Sequence, residues 1–96
     1  MIILTAILKT LDGRGNEVEA EFKKLVPKVL QDPGTLTYVV HRAVDDANKF
    51  LVYERYENEE ALKYHTSTDH FKELGRATRE MFAGRAEIQY YNIVAK

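Results

Sequence analysis

The stretch that decides the fold is residues 35–57, TLTYVVHRAVDDANKFLVYERYE. Two runs rich in β-branched and aromatic residues, 35–44 and 49–57, flank a short polar segment, Asp45–Asn48. Runs of this composition on either side of a polar turn predict a β-hairpin, so the two strands should pair antiparallel. The flanking segments must then supply the remaining strands and the cover of the sheet.

The segment before the hairpin predicts one strand and one helix. Residues 2–10 are aliphatic and β-branched, and the turn residues that follow end this first strand. Asn16 and Glu19 have the spacing of a capping box. Pro27 predicts a kink, since it has no N–H to donate within a helix. Helical spacing is shown by the apolar residues Val18, Phe22, Leu25, Val26, Val29 and Leu30.

The segment after the hairpin predicts two helices. Asn58 is a good N-cap for a short helix that ends near His65, because its side-chain oxygen can accept from a free backbone N–H. Ser67 or Thr68 should cap a further helix, which Gly84 is expected to stop.

Residues 86–94, AEIQYYNIV, predict the fourth strand. The order β-α-β-β-(α)-α-β predicts an α+β, ferredoxin-like fold: one domain over residues 1–96, with a four-stranded antiparallel sheet and helices on one face. The first and third strands are apolar at both parities, so both faces of the sheet should be buried. A single chain has no second layer to supply this burial, and we therefore expect a homodimer that packs sheet on sheet.

Composition excludes several classes of function. The 14 Lys and Arg against 15 Asp and Glu give a net charge of −1, which does not favour binding to nucleic acid or to an anionic membrane. The chain has no cysteine, so disulfides, thiolate metal sites and a cysteine nucleophile are excluded. Neither a signal peptide nor a membrane span is predicted, and the cytoplasm is the expected compartment.

Five short motifs resemble the antibiotic biosynthesis monooxygenase domain. The family pattern is P-G-C/T-L-x-Y, then D-x-N-x-F, Y-E-x-W/Y, E-A-L-x-x-H and T-P-H-F. Tyr56 stands where tryptophan is often found, and Asp69 where proline is common. The matching stretches in this chain are PGTLTY (33–38), DANKF (46–50), YERY (53–56), EALKYH (60–65) and TDHF (68–71).

The resemblance implies a dimeric α/β barrel with a small pocket between the sheet and the helices of each subunit. It also implies a cofactor-independent monooxygenase that uses dioxygen on a small phenol or quinol. Such a substrate reacts with dioxygen once it is deprotonated, so the site needs a base, hydroxyl donors and an apolar wall. Two alternatives stay open: an isomerase or processing enzyme for a small phosphorylated signalling compound, and a non-catalytic dimeric ligand-binding protein.

His65, Glu54 and Tyr53 are the candidate catalytic residues. His65 follows Ala61 by one helical turn, so it can face the sheet, and histidine titrates near neutral pH. Glu54 in mid-strand would orient a histidine, and Tyr53 would donate to an oxyanion. In the structural alternative His65 only ends its helix, binding carbonyls or Glu54, and Glu54 pairs with an arginine, Arg42 or Arg55.

Four further residues are candidate substrate contacts. Tyr38 can supply a hydroxyl donor, whereas the others supply aromatic or imidazole surface. Each also has a purely structural interpretation as a packing, helix-end or interface residue. The four are Tyr38, Tyr56, His70 and Phe71.

No cofactor or metal is expected. In the haem-degrading branch of the family a tryptophan stands at the position of His65 and the axial histidine at that of Gly75, and this chain has no tryptophan. The three histidines show no metal-ligand spacing. The strand order also describes the RNA-recognition motif, but residues 49–56 lack the glycines of its aromatic pattern.

Overall fold

The computed structural model describes residues 1–96, which form four strands and three helices. The sheet is antiparallel throughout and has the order β2-β3-β1-β4, so the α+β, ferredoxin-like fold predicted from the sequence is confirmed. A short 3₁₀ turn, Arg79–Met81, precedes the last strand. In chain order the elements are β1 (Ile2–Lys9), α1 (Gly15–Val29), β2 (Thr35–Arg42), β3 (Lys49–Tyr56), α2 (Glu59–Ser67), α3 (Asp69–Thr78) and β4 (Glu87–Tyr91).

The core lies between the sheet and the helices. Alternate residues of β1, β2 and β3 point to this face and meet the apolar stripe of α1 that the sequence predicts. The rings of Phe22 and Phe50 approach to 6.0 Å between centroids at its centre. The principal buried cluster consists of Ala6, Val18, Phe22, Leu25, Val29, Tyr38, Phe50 and Val52.

The predicted capping box at the start of α1 is wrong. The N-cap is Arg14, which makes no side-chain cap hydrogen bond. Asn16 and Glu19 instead bind the guanidinium of Arg42 from the hairpin, with Nη1 at 2.9 Å from Asn16 Oδ1 and 3.3 Å from Glu19 Oε1. The two side chains with capping-box spacing therefore bind a distant arginine and do not cap the helix.

Several predicted element ends also differ from the structure. The first helix, with Pro27 inside it, ends at Val29, four residues before Pro33. The third helix ends at Thr78, six residues before Gly84. The fourth strand covers only Glu87–Tyr91 of the predicted 86–94, and these five residues pair with Ile3–Ile7 of β1. The caps Asn58 and Thr68 are confirmed, and each side-chain oxygen accepts a backbone N–H.

Gly34 lets the loop before β2 lie directly on α2. Its φ is +78°, in the left-handed region that favours glycine. A Cβ added here would lie 2.6 Å from the Cβ of Ala61. The Gly34 carbonyl also accepts the N–H of Glu57 at 2.9 Å, which ties this loop to the end of β3.

We expect Gly34→Ala to destabilise the protein by about 2–3 kcal/mol, of which about 1 kcal/mol is the cost of a left-handed alanine. The remainder comes from the clash with Ala61. Gly13→Ala is a matched control, because Gly13 has φ +79° but nothing within 4 Å of an added Cβ. Urea unfolding of both variants measures the difference, and equal losses would contradict the packing role of Gly34.

The second face of the sheet carries apolar side chains that no helix covers. Cross-strand pairing groups them on this face, which is called the open face below. Val39 and Tyr91 are 44% and 52% exposed. No helix in the structure has the length and apolar character needed to cross a bilayer. The apolar residues of the open face are Ile3, Ile7, Val39, Leu51, Tyr53 and Tyr91.

Candidate functional site

His65 lies at the centre of a buried aromatic cluster. Its side chain is 1% exposed. Its ring centroid is 4.9 Å from that of Phe71, 5.3 Å from Tyr38 and 5.6 Å from Tyr56. The prediction that one turn of α2 directs this histidine towards the sheet agrees with these contacts, since Tyr38 and Tyr56 are strand residues.

The Nδ1 atom of His65 is buried without a hydrogen-bond partner. Asp32 Oδ2 faces it at 3.7 Å, which is too long for a hydrogen bond. The same oxygen lies 2.9 Å from Nε2 of His70. One carboxylate oxygen therefore stands between two imidazoles, one fully buried and the other 19% exposed.

Glu54 is buried on the helix side of β3, next to this cluster. The hydroxyl of Tyr56 donates to its Oε1 at 2.6 Å. Neither Arg42 nor Arg55 pairs with it, as the structural alternative required: Arg42 binds Glu19, and the guanidinium of Arg55 contacts Met1 Sδ. Glu54 also does not bind His65, so the carboxylate has a phenol as its single partner.

Burial favours the uncharged form of four side chains in this cluster, those of His65, Glu54, Tyr38 and Tyr56. Loss of solvent lowers the pKa of His65, partly offset by the negative charge of Asp32, so the imidazole is neutral at pH 7. Burial raises the pKa of Glu54 to about 6, partly offset by the Tyr56 hydroxyl. Burial, followed by the charge of Glu54, raises the pKa of Tyr38 and Tyr56, so both phenols stay protonated donors.

The Glu54→Gln variant is expected to unfold with a free energy about 2 kcal/mol higher than wild type at pH 8, and with little difference at pH 4. The pKa of Glu54 rises from 4.5 to about 6 on folding, and each unit corresponds to about 1.4 kcal/mol. The folded state binds more protons in this window, so wild-type stability falls as pH rises through it. Urea unfolding at both pH values tests this.

Glu80→Gln is the matched control, because Glu80 is an exposed carboxylate in the 3₁₀ turn. It should not reproduce the gain in stability at pH 8. A Glu54→Gln variant that is less stable than wild type at both pH values would contradict the unfavourable burial of the charge.

A cavity of about 600 Å³ lies between α1 and β2, beside the aromatic cluster. Phe22, Val26 and Phe50 make it apolar, and its two cationic side chains, Lys23 and Arg42, both pair with Glu19. Tyr38 belongs to both places, since it lines the cavity and its ring also packs on His65. The cavity is therefore separated from His65 by one tyrosine ring.

The structure gathers most of the predicted site residues but not all. His65, Glu54, Tyr38, Tyr56 and Phe71 form the buried cluster.

Two predicted site residues lie elsewhere. Tyr53 is on the open face, in a groove of about 550 Å³ formed with Ile3 and the C-terminal residues 91–95. His70 contacts Asp32 at the edge of α3 and does not line the cavity beside Tyr38. That His70 contacts substrate stays a prediction.

Asp32 is the residue of the cluster that the sequence did not predict. It precedes Pro33-Gly34 and looks like an ordinary turn residue. The only signal for its role is the glycine two residues later. Because Gly34 packs against α2, the Asp32 side chain is also held near this helix. As arranged here, Asp32, His65 and His70 do not form a group with metal-binding geometry. The expected absence of a metal or cofactor stays a prediction.

Comparison with known proteins identifies the family. Residues 1–77 match the family described as antibiotic biosynthesis monooxygenase. The chain belongs to the antibiotic biosynthesis monooxygenase family. The match includes β1 to β3 and α2 and nearly all of α3, so it covers the whole aromatic cluster and the loop with Asp32.

Relatives of this family agree over most of the chain. The Bacillus subtilis protein named "Putative monooxygenase YcnE" is 26% identical over 88 residues, which cover 92% of this chain and 93% of the relative. The uncharacterized protein YjcS from Bacillus subtilis is 34% identical over 71 residues, covering 73% of this chain and 68% of YjcS.

A solved family structure from Caulobacter crescentus CB15, described as a "putative antibiotic biosynthesis monooxygenase", is 35% identical to this chain. The two structures superpose with a TM-score of 0.89, and the matched region covers 98% of this chain and 90% of the Caulobacter chain. The family name and these relatives indicate an enzyme of the monooxygenase type, and they do not name a substrate.

Proposed function

We propose that this chain is a cofactor-independent monooxygenase that acts on a small phenol or quinol with His65 as the base. The observation that carries the proposal is the position of His65, a buried imidazole enclosed by aromatic rings in a member of this family. A neutral histidine is the form that can accept a proton, and its reference pKa lies close to the operating pH.

The chemistry asks the protein to remove one proton and exclude water. The deprotonated phenol or quinol then supplies the electrons that dioxygen needs. In a water-excluded site, donors aimed at the developing oxyanion stabilise it more strongly than they would in water. Tyr38 stays protonated and can donate, whereas the hydroxyl proton of Tyr56 is already donated to Glu54. Phe71 packs on the imidazole.

We place the substrate in the cavity between α1 and β2, where its aromatic ring would lie against Phe22 and Phe50. Tyr38 separates this cavity from His65, so binding has to displace the Tyr38 ring for the substrate hydroxyl to reach the imidazole. Lys23 and Arg42 share the cavity lining with Glu19, which pairs with both, and the net positive charge of these three side chains suits a substrate that becomes anionic.

Oxygen uptake over a panel of quinols and polyphenols tests the proposal directly. We expect the metal-free, colourless protein to consume dioxygen with at least one member of the panel. If a phosphorylated sugar-like compound is turned over without oxygen uptake, the isomerase alternative replaces this one. If neither class is turned over and a compound only binds, the chain is a ligand-binding protein.

We also propose that two copies pair through the open face. Its apolar side chains cross the three strands β1, β2 and β3 and reach the edge strand β4 at Tyr91, which is exposed. A second copy has the same apolar face, and a net charge of −1 for each chain gives little repulsion. Burial of this face in a dimer would add buried apolar area to the small hydrophobic core of a 96-residue chain.

A further inference from the structure

The loop between α1 and β2 buries a carboxylate to which the proposed reaction gives no role. The Asp32 side chain is 6% exposed. Its Oδ2 contacts His70 Nε2 at 2.9 Å and faces His65 Nδ1 at 3.7 Å. A buried carboxylate needs such partners, and His65 Nδ1 in turn has no other acceptor nearby.

The backbone holds Asp32 firmly at this place. Its N–H donates to the carbonyl of Val29 at 2.9 Å, and its carbonyl accepts from Thr35 N–H at 3.2 Å. Two residues on, Gly34 packs against α2, the helix that carries His65. The loop and the histidine are therefore parts of one packed unit.

Asp32 is the charged group that acts most directly on His65. It faces a ring nitrogen, whereas the aromatic neighbours contact the ring by packing. The titratable groups around His65 are Asp32 from the loop, His70 from α3, Tyr38 from β2 and, through Tyr56, Glu54 from β3.

We propose that Asp32 is a positioning residue for His65 and that His70 holds its carboxylate in place. The carboxylate favours the tautomer of His65 that carries its proton on Nδ1, which leaves Nε2 free as the base. When Nε2 takes the proton of the substrate hydroxyl, the imidazolium forms beside Asp32, which stabilises it without being protonated itself. This inference rests on the proposed function of His65.

Imidazole ¹⁵N NMR tests the contact without any substrate. In wild type we expect neutral His65 to carry its proton on Nδ1. In Asp32→Asn the Nε2–H form should rise, and the pKa of His65 should fall further, since an opposite charge is removed. An unchanged tautomer and an unchanged titration of His65 in a folded variant would overturn the inference.

Kinetics supply the second test. We expect Asp32→Asn to lower kcat at least about tenfold, within the loss of up to ~10⁴ known for a carboxylate that orients a catalytic imidazole. KM should change little, because Asp32 does not line the cavity. If wild type turns over no quinol, the proposed function fails, but the NMR result still shows whether Asp32 sets the tautomer of His65. A normal kcat in Asp32→Asn would overturn the inference alone.

Substitution of His70 gives a variant with little risk of misfolding, since its side chain is partly exposed. His70→Gln keeps an N–H that can donate to Asp32, whereas His70→Ala removes it. We expect the alanine variant to show the kinetic and NMR changes of Asp32→Asn and the glutamine variant to restore most of wild-type behaviour. Lys72→Ala, an exposed substitution on the same helix, is the control. Equal behaviour of His70→Ala and Lys72→Ala would contradict the anchoring role.

Discussion

The His65→Gln variant is expected to lose kcat/KM by about 10²–10⁴ at pH 7 while keeping the fold. This range is the usual contribution of a positioned general base. Glutamine can fill much of the same space and has a polar end for Asp32, but it cannot accept a proton near neutral pH. Oxygen uptake with the quinol that wild type consumes fastest measures the loss, and circular dichroism checks the fold.

Lys63→Gln is the matched control, because residue 63 lies on the exposed side of the same helix. It should retain wild-type turnover. If a folded His65→Gln variant consumed oxygen as fast as Lys63→Gln, His65 would not be the base, and the buried imidazole would have only the structural role of packing α2 against the sheet.

The Leu51→Lys variant is expected to be a monomer near 11.1 kDa, whereas wild type should have about twice that mass by light scattering. Leu51 lies on the open face of β3, paired with Ile7 on one side and His41 on the other. In a two-fold symmetric dimer the substitution occurs on both sides of the interface. Two unpaired buried charges should weaken association more than about 100-fold.

Val44→Lys adds the same charge at the hairpin turn, where the side chain is fully exposed. It should leave the mass of the dimer unchanged. A wild-type protein that is a monomer at micromolar concentration would contradict the proposal that the open face binds a second copy, whatever the variants do.

The fold was predictable because its signals are local. The hairpin rests on two β-rich runs around a polar turn, and the predicted antiparallel pairing is confirmed, with Tyr38 opposite Glu54 and Arg42 opposite Phe50. The caps Asn58 and Thr68 act within three residues of themselves. The capping box failed for the opposite reason: Arg42, which is 26 residues away from Asn16, offers a stronger charged partner than a local N–H.

The candidate site was predictable only in part. Helical spacing places His65 towards the sheet, and strand alternation places Glu54 and Tyr56 on one face. The alternation also separates Tyr53 from Glu54, since neighbouring strand residues point to opposite faces, so their joint assignment to one catalytic group does not agree with the structure.

The sequence by itself determined the order of the elements, the two-sided apolar sheet and the family, since each depends on composition and short spacings along the chain. Tertiary structure alone decided that Asp32 meets His65 and His70, and that Glu54 binds Tyr56 rather than an arginine. Those contacts join side chains through space. They depend on how the α1–β2 loop packs against α2, and on the burial that this packing imposes on each charge.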